Sequence, residues 1–291
     1  MSSASVYLLA LAANLFFSTA SLVFSAYARR FSPFWINQLK VTVAIVLFGL
    51  ATWYTGVTPL SVTAICYLLL SGLVGLCIGD LFLFRAYATL GAGRSLVLFS
   101  FQPLLLGLYG YFFLAQTFNS SQAIAVACMM ACLGVFLLER NKLTGRWDLQ
   151  SFLWAFAGIV LDAIGVMLTR EAFELTANLE AMQVNLIRCA GAMLGFLVIR
   201  PTGLVQIARD LLPMKLKEKS LLLIACVCGT FVSLALYLTA LKYAHVASLT
   251  AVAITGPVWV SMLECIWEKK LPNRYLVAAF TFFLVGFYFM T

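Results

Sequence analysis

Four ionisable side chains have mostly apolar neighbours in the sequence. They are Lys40, Asp80, Asp162 and Arg188. If their surroundings cross a bilayer, each charge costs about 2.5–3.5 kcal/mol at the membrane centre on insertion scales. Such groups normally face a polar cavity, where they bind substrates or relay ions. The alternative is a structural role, in which two buried ion pairs clamp the helices together.

Polar side chains recur at helical spacing in the first apolar stretch. Asn14, Ser18, Ser21 and Ser25 are separated by four, three and four positions. This spacing places them in one stripe on a helix. The corresponding stripe of the sixth apolar stretch comprises Asp162, Val166 and Thr169.

Two other stretches each have an amide three positions before a cation. The pairs are Asn37 with Lys40 and Asn185 with Arg188. Residues three apart share a helical face. The pattern predicts that the first, second, sixth and seventh helices surround a central polar cavity.

The composition excludes the common classes of soluble protein. Of the 291 residues, 63% are hydrophobic and 10% are charged, whereas soluble domains have roughly 45–50% and about 25%. The eight cysteines lie in apolar runs without a C-x-x-C pair, and His245 is the single histidine. A soluble enzyme, a disordered chain and a disulfide scaffold are therefore excluded, and no metal site or cofactor is predicted.

The apolar runs are continuous, which favours helices over the alternating strands of a barrel. Ten of them approach the length of about 20 residues that crosses the hydrocarbon core. They lie near 6–28, 34–54, 62–84, 95–115, 120–138, 151–172, 181–200, 219–241, 247–267 and 273–290. The sequence predicts an all-α integral membrane protein of ten transmembrane helices, with repeats of five helices at 1–145 and 146–291. Loops of some length are predicted only at 139–150 and 201–218.

The two halves align on prolines, glycines and embedded polar residues. The matched pairs are Asn14 with Asp162, Asn37 with Asn185, Lys40 with Arg188, Gly75 with Gly229, and Pro103 with Pro257. Because five is an odd number, the second half would enter the membrane in the opposite sense. This predicts an inverted-topology repeat, an architecture that many secondary transporters use for alternating access.

The basic residues are distributed unequally between the two sides of the predicted membrane. Fourteen of the nineteen Lys and Arg residues lie in loops after odd-numbered spans, whereas loops after even-numbered spans hold Arg170 and Lys242. Basic loops remain in the cytoplasm. We therefore predict a multi-pass protein of the plasma or inner membrane with both termini outside.

Glycines at helical spacing indicate where helices approach closely. The third span has Gly72, Gly75 and Gly79, and the seventh has Gly191 and Gly195 in a G-x-x-x-G pattern. Small residues of this kind let helix backbones meet in membranes. Packing explains these glycines without a chemical role.

Several motifs resemble one family over essentially the whole chain. Residues 79–95 read G-D-L-F-L-F-R-A-Y-A-T-L-G-A-G-R-S, before Pro103, and the second half has G-T-F at 229–231, A-L-K-Y at 240–243, Pro257 and W-E-K at 267–269. With the ten spans and their repeat, these segments resemble the EamA-like ten-helix branch of the drug/metabolite transporter superfamily. The chain departs from the family in two ways. Gln116 replaces the family's usual Glu, and we predict both termini outside, whereas family members generally have cytoplasmic termini.

The resemblance implies a secondary carrier or exchanger of small metabolites, with amino acids as the implied class. The predicted substrate-binding residues are Asn14, Lys40, Asn185, Arg188 and Tyr237. Lys40 or Arg188 would engage a substrate carboxylate through charge-assisted hydrogen bonds. Burial disfavours an ionised carboxyl group, so Asp162 is predicted to carry a coupling proton. Exchange without proton coupling is the open alternative.

Other functional classes remain as alternatives to a carrier. They are an integral membrane enzyme or lipid-handling scaffold without transport, and a channel. The sequence has no H-E-x-x-H, G-x-S-x-G or Walker loop, so catalysis is not predicted. The expected partners are a small-molecule substrate and the lipid bilayer, without nucleic acid and without a required oligomer.

Overall fold

The computed structural model describes residues 3–99, 102, 120–144, 149–176, 179–243, 255–269 and 271–290. Within these ranges the regular secondary structure is helical. Six helices are long and apolar enough to cross a membrane: Leu8–Arg30, Pro33–Thr55, Val62–Leu90, Leu149–Leu175, Ala181–Ile199 and Leu216–Tyr243. The chain is a multi-pass membrane protein with an all-α fold.

The helices follow the predicted spans in order. The first half has α1 (Ser3–Arg30), α2 (Pro33–Thr55), α3 (Val62–Leu90), α4 (Ala92–Phe99) and α5 (Ser120–Thr144). The second half has α6 (Leu149–Leu175), α7 (Ala181–Ile199), α8 (Leu216–Tyr243), α9 (Thr255–Glu268) and α10 (Arg274–Met290). A short helix at Gly203–Leu211, which we name the linker helix, precedes α8.

Local sequence signals set the ends of the early helices. The Ser32 hydroxyl accepts a hydrogen bond from the Trp35 amide at 3.0 Å, and Pro33 occupies the first turn of α2. Both features favour a helix start. The end of α3 falls at Gly91, whose φ of +91° favours glycine.

Three boundaries differ from the sequence prediction. First, α3 runs to Leu90 instead of 84, because the Arg85 guanidinium lies over the rings of Phe82 and Trp154 at 5.7 and 5.5 Å. These cation–π contacts accommodate the charge at the end of an apolar helix. Second, α5 continues to Thr144 and α6 begins at Leu149, which leaves little of the predicted 139–150 loop.

Third, the predicted 201–218 loop contains the linker helix, which is amphipathic and buries Ile207. Its first residue, Gly203, packs against the Gln38 side chain of α2 so closely that a Cβ atom would clash with it. The predicted fourth span begins at Ala92 in the structure. Its later residues, including Pro103 and Gln116, lie outside the described residues, as does His245.

The two halves match in register and in an unusual helical geometry. A shift of 154 positions carries α3 (Val62–Leu90) onto 216–244, within one residue of α8 (Leu216–Tyr243). Both helices contain a π-helical segment in the middle, at Gly72–Gly79 in α3 and Val227–Val232 in α8. The same shift superposes these segments to within one residue at each end. The repeat predicted from the aligned glycines therefore extends to a local distortion of the backbone.

The first and third helices of each half pack against those of the other half. Across α3 and α6, the Ser71 hydroxyl donates to the Gly165 carbonyl at 2.7 Å. A Cβ atom on Gly158 would lie 3.1 Å from the Leu83 amide nitrogen. Residue numbers thus rise along α3 as they fall along α6, so these two helices are antiparallel.

The pair α1 and α8 has the same antiparallel arrangement. Gly229 of α8 faces Ala20 of α1, whereas the Tyr27 hydroxyl reaches the Glu218 carbonyl at 3.3 Å. Helices α1 and α3 are parallel, since the Ser25 hydroxyl donates to the Tyr87 carbonyl at 2.9 Å near both C-termini. It follows that α1 and α3 run in one direction and α6 and α8 run in the other.

Polar contacts link neighbouring elements at both ends of the described bundle. At the end rich in basic residues, Arg94 Nε donates to Glu139 at 2.7 Å and joins α4 to α5. At the opposite end, the Gln183 side chain exchanges two hydrogen bonds of 2.8 Å with the Thr58 backbone. The second contact links the loop before α3 to the start of α7 across the two halves.

Glycines bring α3, α6 and α7 into backbone contact, as the sequence predicted. A Cβ atom on Gly191 of α7 would clash with the Leu69 carbonyl oxygen and lie 2.8 Å from its carbon. A Cβ atom on Gly165 of α6 would lie 3.1 Å from the Cα atom of Gly75. Helix backbones meet this closely only where side chains are absent.

This contact predicts that Gly191→Ala destabilises the protein. The added methyl group has no space beside Leu69, and overpacking of this kind typically costs about 1–3 kcal/mol. Purified protein in detergent should therefore unfold several degrees lower in a thermal melt. Gly134→Ala is the matched control, because no atom of the described residues lies within 4 Å of its Cβ position. Equal melting of the two variants would contradict the close α3–α7 contact.

Candidate functional site

The first half neutralises its buried cation internally. Lys40 of α2 forms an ion pair with Asp80 of α3, and both side chains are nearly inaccessible, at 5% and 9% exposure. The Lys40 ammonium also lies 4.9 Å from the centre of the Phe84 ring. Of the two structural ion pairs that the sequence left open, this one is present. It joins two helices of one half and does not clamp the halves together.

Ser71 is the centre of a hydrogen-bond network where α3, α6 and α7 cross. Its hydroxyl donates to the Gly165 carbonyl and lies 2.8 Å from the Thr169 hydroxyl, both on α6. Arg188 of α7 donates from Nε to the same Ser71 oxygen at 3.0 Å. These hydrogen bonds fix the Nε atom of Arg188 where the two halves are in contact.

Arg188 is the second-half counterpart of Lys40, but it has no equivalent acid. The position that matches Asp80 under the 154-residue shift is Leu234. Arg188 is 2% exposed, and among the described residues no carboxylate lies within 4.0 Å of it. Its two terminal nitrogens likewise have no hydrogen-bond partner in the described part of the chain. A buried guanidinium therefore presents two donors that the surrounding helices leave unused.

Asp162 of α6 lies across α3 from this arginine. Its Oδ2 atom accepts a hydrogen bond from Gln102 Nε2 at 2.7 Å. Its Oδ1 atom faces Gly75, where a Cβ atom would lie 3.7 Å away. The carboxylate interacts electrostatically with Asp80, Arg188 and Lys40. The structure thus brings three of the predicted site residues, Asp162, Arg188 and Lys40, into one electrostatic cluster.

The remaining predicted residues occupy different positions. Tyr237 of α8 is half-buried and interacts electrostatically with both Asp162 and Arg188, so it belongs to the same cluster. Asn185 of α7 is fully buried, and neither atom of its amide has a partner among the described residues. Asn14 lies elsewhere, between α1 and α9, where its Oδ1 atom faces Gly256.

Sequence reasoning missed two residues of this site, Ser71 and Gln102, whereas Thr169 belongs to the polar stripe that begins with Asp162. Ser71 looks like an ordinary small polar residue of a membrane helix, and such residues commonly bond to their own backbone. Gln102 had a usable signal, because it is an amide inside an apolar run directly before a proline. Among the described residues, no cluster of three His, Cys, Asp or Glu side chains is arranged to hold a metal ion.

Known proteins share this architecture. The EamA-like transporter family matches the chain twice, at residues 4–139 and 149–291. No curated protein matches the sequence significantly. A solved structure described only as a crystal structure of a protein aligns with a TM-score of 0.65 and 17% identity, over 100% of this chain and 97% of that chain. At this identity the likeness concerns the fold alone.

The two family matches together cover nearly the whole chain, one on each half. Members of this family are membrane transporters of small molecules. The chain belongs to the EamA-like transporter family of the drug/metabolite transporter superfamily.

Proposed function

We propose that the protein is a secondary transporter or exchanger of amino acids or related zwitterionic metabolites, and that it works by alternating access. The observation that carries the proposal is the incompletely paired Arg188 at the crossing of α3, α6 and α7. A guanidinium is costly to bury without an anionic partner. A substrate carboxylate would supply that partner, with two charge-assisted hydrogen bonds to the terminal nitrogens.

Within the proposed substrate-binding set, the structure favours different roles for the two cations. The Lys40 charge is already neutralised by Asp80. Lys40 would therefore contribute to the electrostatic potential of the site and make less direct contact with the substrate. Arg188 is the residue that we propose for the carboxylate. Tyr237 would line the same site beside the charges. Asn185 would line it only in the conformation described here, in which its amide has no partner among the described residues.

We propose that Asp162 carries a coupling proton. It has one hydrogen bond from Gln102 and lies in the field of both Asp80 and Arg188. A carboxylate bound at Arg188 would place another negative charge beside Asp162, and a proton on Asp162 would relieve the repulsion between the two carboxylates. Binding of a substrate anion at Arg188 would therefore promote proton binding at Asp162, which couples the two.

The supporting architecture is a ten-helix inverted repeat with both termini outside. The opposed directions of α1 and α3 against α6 and α8 support the inversion. The basic end of α1 meets the start of α8 through the Arg30–Glu218 ion pair of 2.9 Å, which supports a single basic, cytoplasmic face. A protease that digests tags at either terminus on intact cells would support this orientation, and protected tags would reverse it.

Counterflow in proteoliposomes tests the proposed function. Vesicles loaded with unlabelled amino acids should accumulate the labelled compound transiently, because a carrier that returns loaded moves faster than one that returns empty. A channel would equilibrate the label without this overshoot, and an enzyme or lipid scaffold would show neither. Gly134→Ala protein, which leaves the site intact, should behave like the wild type. Absence of overshoot across an amino-acid panel would contradict the proposal.

Replacing Asp162 by Asn should separate transport from the proton gradient. The wild type should take up substrate faster when the outside is more acidic, because protonation of Asp162 accompanies the loaded state. Asp162→Asn mimics the protonated group permanently and keeps an amide beside Gln102, so exchange should persist while the dependence on pH disappears.

Uptake by Asp162→Asn protein, compared at several imposed pH gradients, measures this effect. Glu218→Gln, which removes a carboxylate at the exposed basic end, is the matched control and should keep the wild-type dependence. If Asp162→Asn retains the full pH dependence, Asp162 is not the coupling site.

A further inference from the structure

Asn37 binds the backbone of the π-helical segment in α3. Its side-chain nitrogen donates to the carbonyls of Leu76 and Cys77, at 3.0 and 3.1 Å. Both acceptors lie within Gly72–Gly79, where the helix is wound more widely than an α-helix. Asn37 is fully buried, so these bonds connect α2 to α3 without competition from water.

The corresponding asparagine of the second half makes no such bonds. Asn185 is also fully buried, yet neither its nitrogen nor its oxygen has a partner in the described part of the chain. The positions that match Leu76 and Cys77 are Thr230 and Phe231, within the π-helical segment of α8. The hydroxyl of Thr230 is buried and likewise without a partner among the described residues.

The second and third helices of each half pack together mainly beyond the π-helical segment. Helix α2 packs mostly against Asp80–Leu90 of α3, and helix α7 packs against Ser233–Tyr243 of α8. The two halves therefore differ at the π-helical segment chiefly through the two hydrogen bonds of Asn37.

The Asn37 amide is hydrogen-bonded, whereas the equivalent Asn185 amide has no hydrogen bond within the described ranges. An inverted repeat produces such a difference when its two halves adopt different conformations. Alternating access moves one repeat of such a protein against the other, and an exchange of the two conformations between the halves would produce the opposite state. A buried amide without partners costs free energy, and π-helical turns frequently occur at functional sites. Because Asn185, unlike Gln38, corresponds to the bonded Asn37, its partner in the opposite state would be the matching backbone of α8.

We propose that Asn37 and Asn185 are alternating latches on the π-helical segments of α3 and α8. In the conformation described above, Asn37 is bonded to α3 and Asn185 is released. In the opposite conformation, Asn185 donates to the carbonyls of Thr230 and Phe231, and Asn37 is released. The proposal rests on the alternating access of the proposed function, and it makes these two asparagines positioning residues for the conformational change.

Hydrogen–deuterium exchange of the full-length protein in lipid nanodiscs tests the latches without a substrate. Asn37→Leu disfavours the conformation seen here, so exchange should rise in 72–79 and fall in 227–232. Asn185→Leu disfavours the opposite conformation, so exchange should rise in 227–232 and fall in 72–79. Loss of two buried hydrogen bonds should change the ratio of the two states on the order of tenfold.

The decisive result is the slower exchange in the half that was not mutated. Fixed structural bonds cannot produce it, because each variant would then raise exchange only in its own half, and that outcome would overturn the proposal. Asn185→Leu removes two unpartnered polar atoms and should fold at least as stably as the wild type, so it carries the test if Asn37→Leu does not fold.

Gln38→Leu is the matched control. Gln38 is another fully buried amide in α2 without a side-chain partner among the described residues, and its replacement should leave exchange in 227–232 unchanged. If hydrogen–deuterium exchange changes in opposite directions in 72–79 and 227–232 but no amino acid shows counterflow, the latches are supported and the proposed function is contradicted. Counterflow without reciprocal exchange would support transport and overturn the latches.

Discussion

The cost of holding an ionic group inside a membrane protein constrains the centre of this fold. A buried cation needs an anion or several hydrogen bonds to offset its desolvation. The first half meets this requirement with Asp80 beside Lys40. The second half holds Arg188 by one bond to Ser71 and has Leu234 where the acid would stand. The two related halves therefore differ in that Lys40 has a carboxylate partner, whereas Arg188 has none among the described residues.

Backbone contact between helices determines where those charges lie. Gly75, Gly165 and Gly191 let α3 approach α6 and α7 without intervening side chains. As a result Ser71 reaches both partner helices, and Asp162 and Arg188 come close enough to interact electrostatically. Larger residues at these crossings would move the two charges apart. The glycines are thus packing residues whose main consequence is the geometry of the polar cluster.

Much of this organisation follows from the sequence because membrane constraints leave strong signals. Long apolar runs indicate spans, and a charge such as Arg188 within one is rare enough to indicate a site. The matched pairs Asn37 with Asn185 and Gly75 with Gly229 indicate the repeat without any coordinates. Helical periodicity also puts Lys40 on the same face of α2 as Asn37, and in the structure both side chains are buried against α3.

Other features depend on contacts that no local pattern encodes. Lys40 and Asp80 are forty positions apart, so the pair forms only once α2 and α3 pack together. Gln102 was overlooked because its importance arises from Asp162, on a different helix. The π-helical segments have no distinctive composition, and the linker helix was too short to separate from a polar loop. The polar stripe on α1 led to the prediction that Asn14 lies with the central charges. In the structure its Oδ1 atom faces Gly256 of α9.

The most direct test of the central claim is binding of matched ligands to the purified protein. If Arg188 binds a carboxylate, an amino acid should raise the melting temperature, whereas its amide, which lacks the carboxylate, should not. The same amino acid should give no shift with Arg188→Gln protein, provided that this variant melts cooperatively. A shift of equal size for the amino acid and its amide would contradict recognition by Arg188, and so would a shift that survives the substitution.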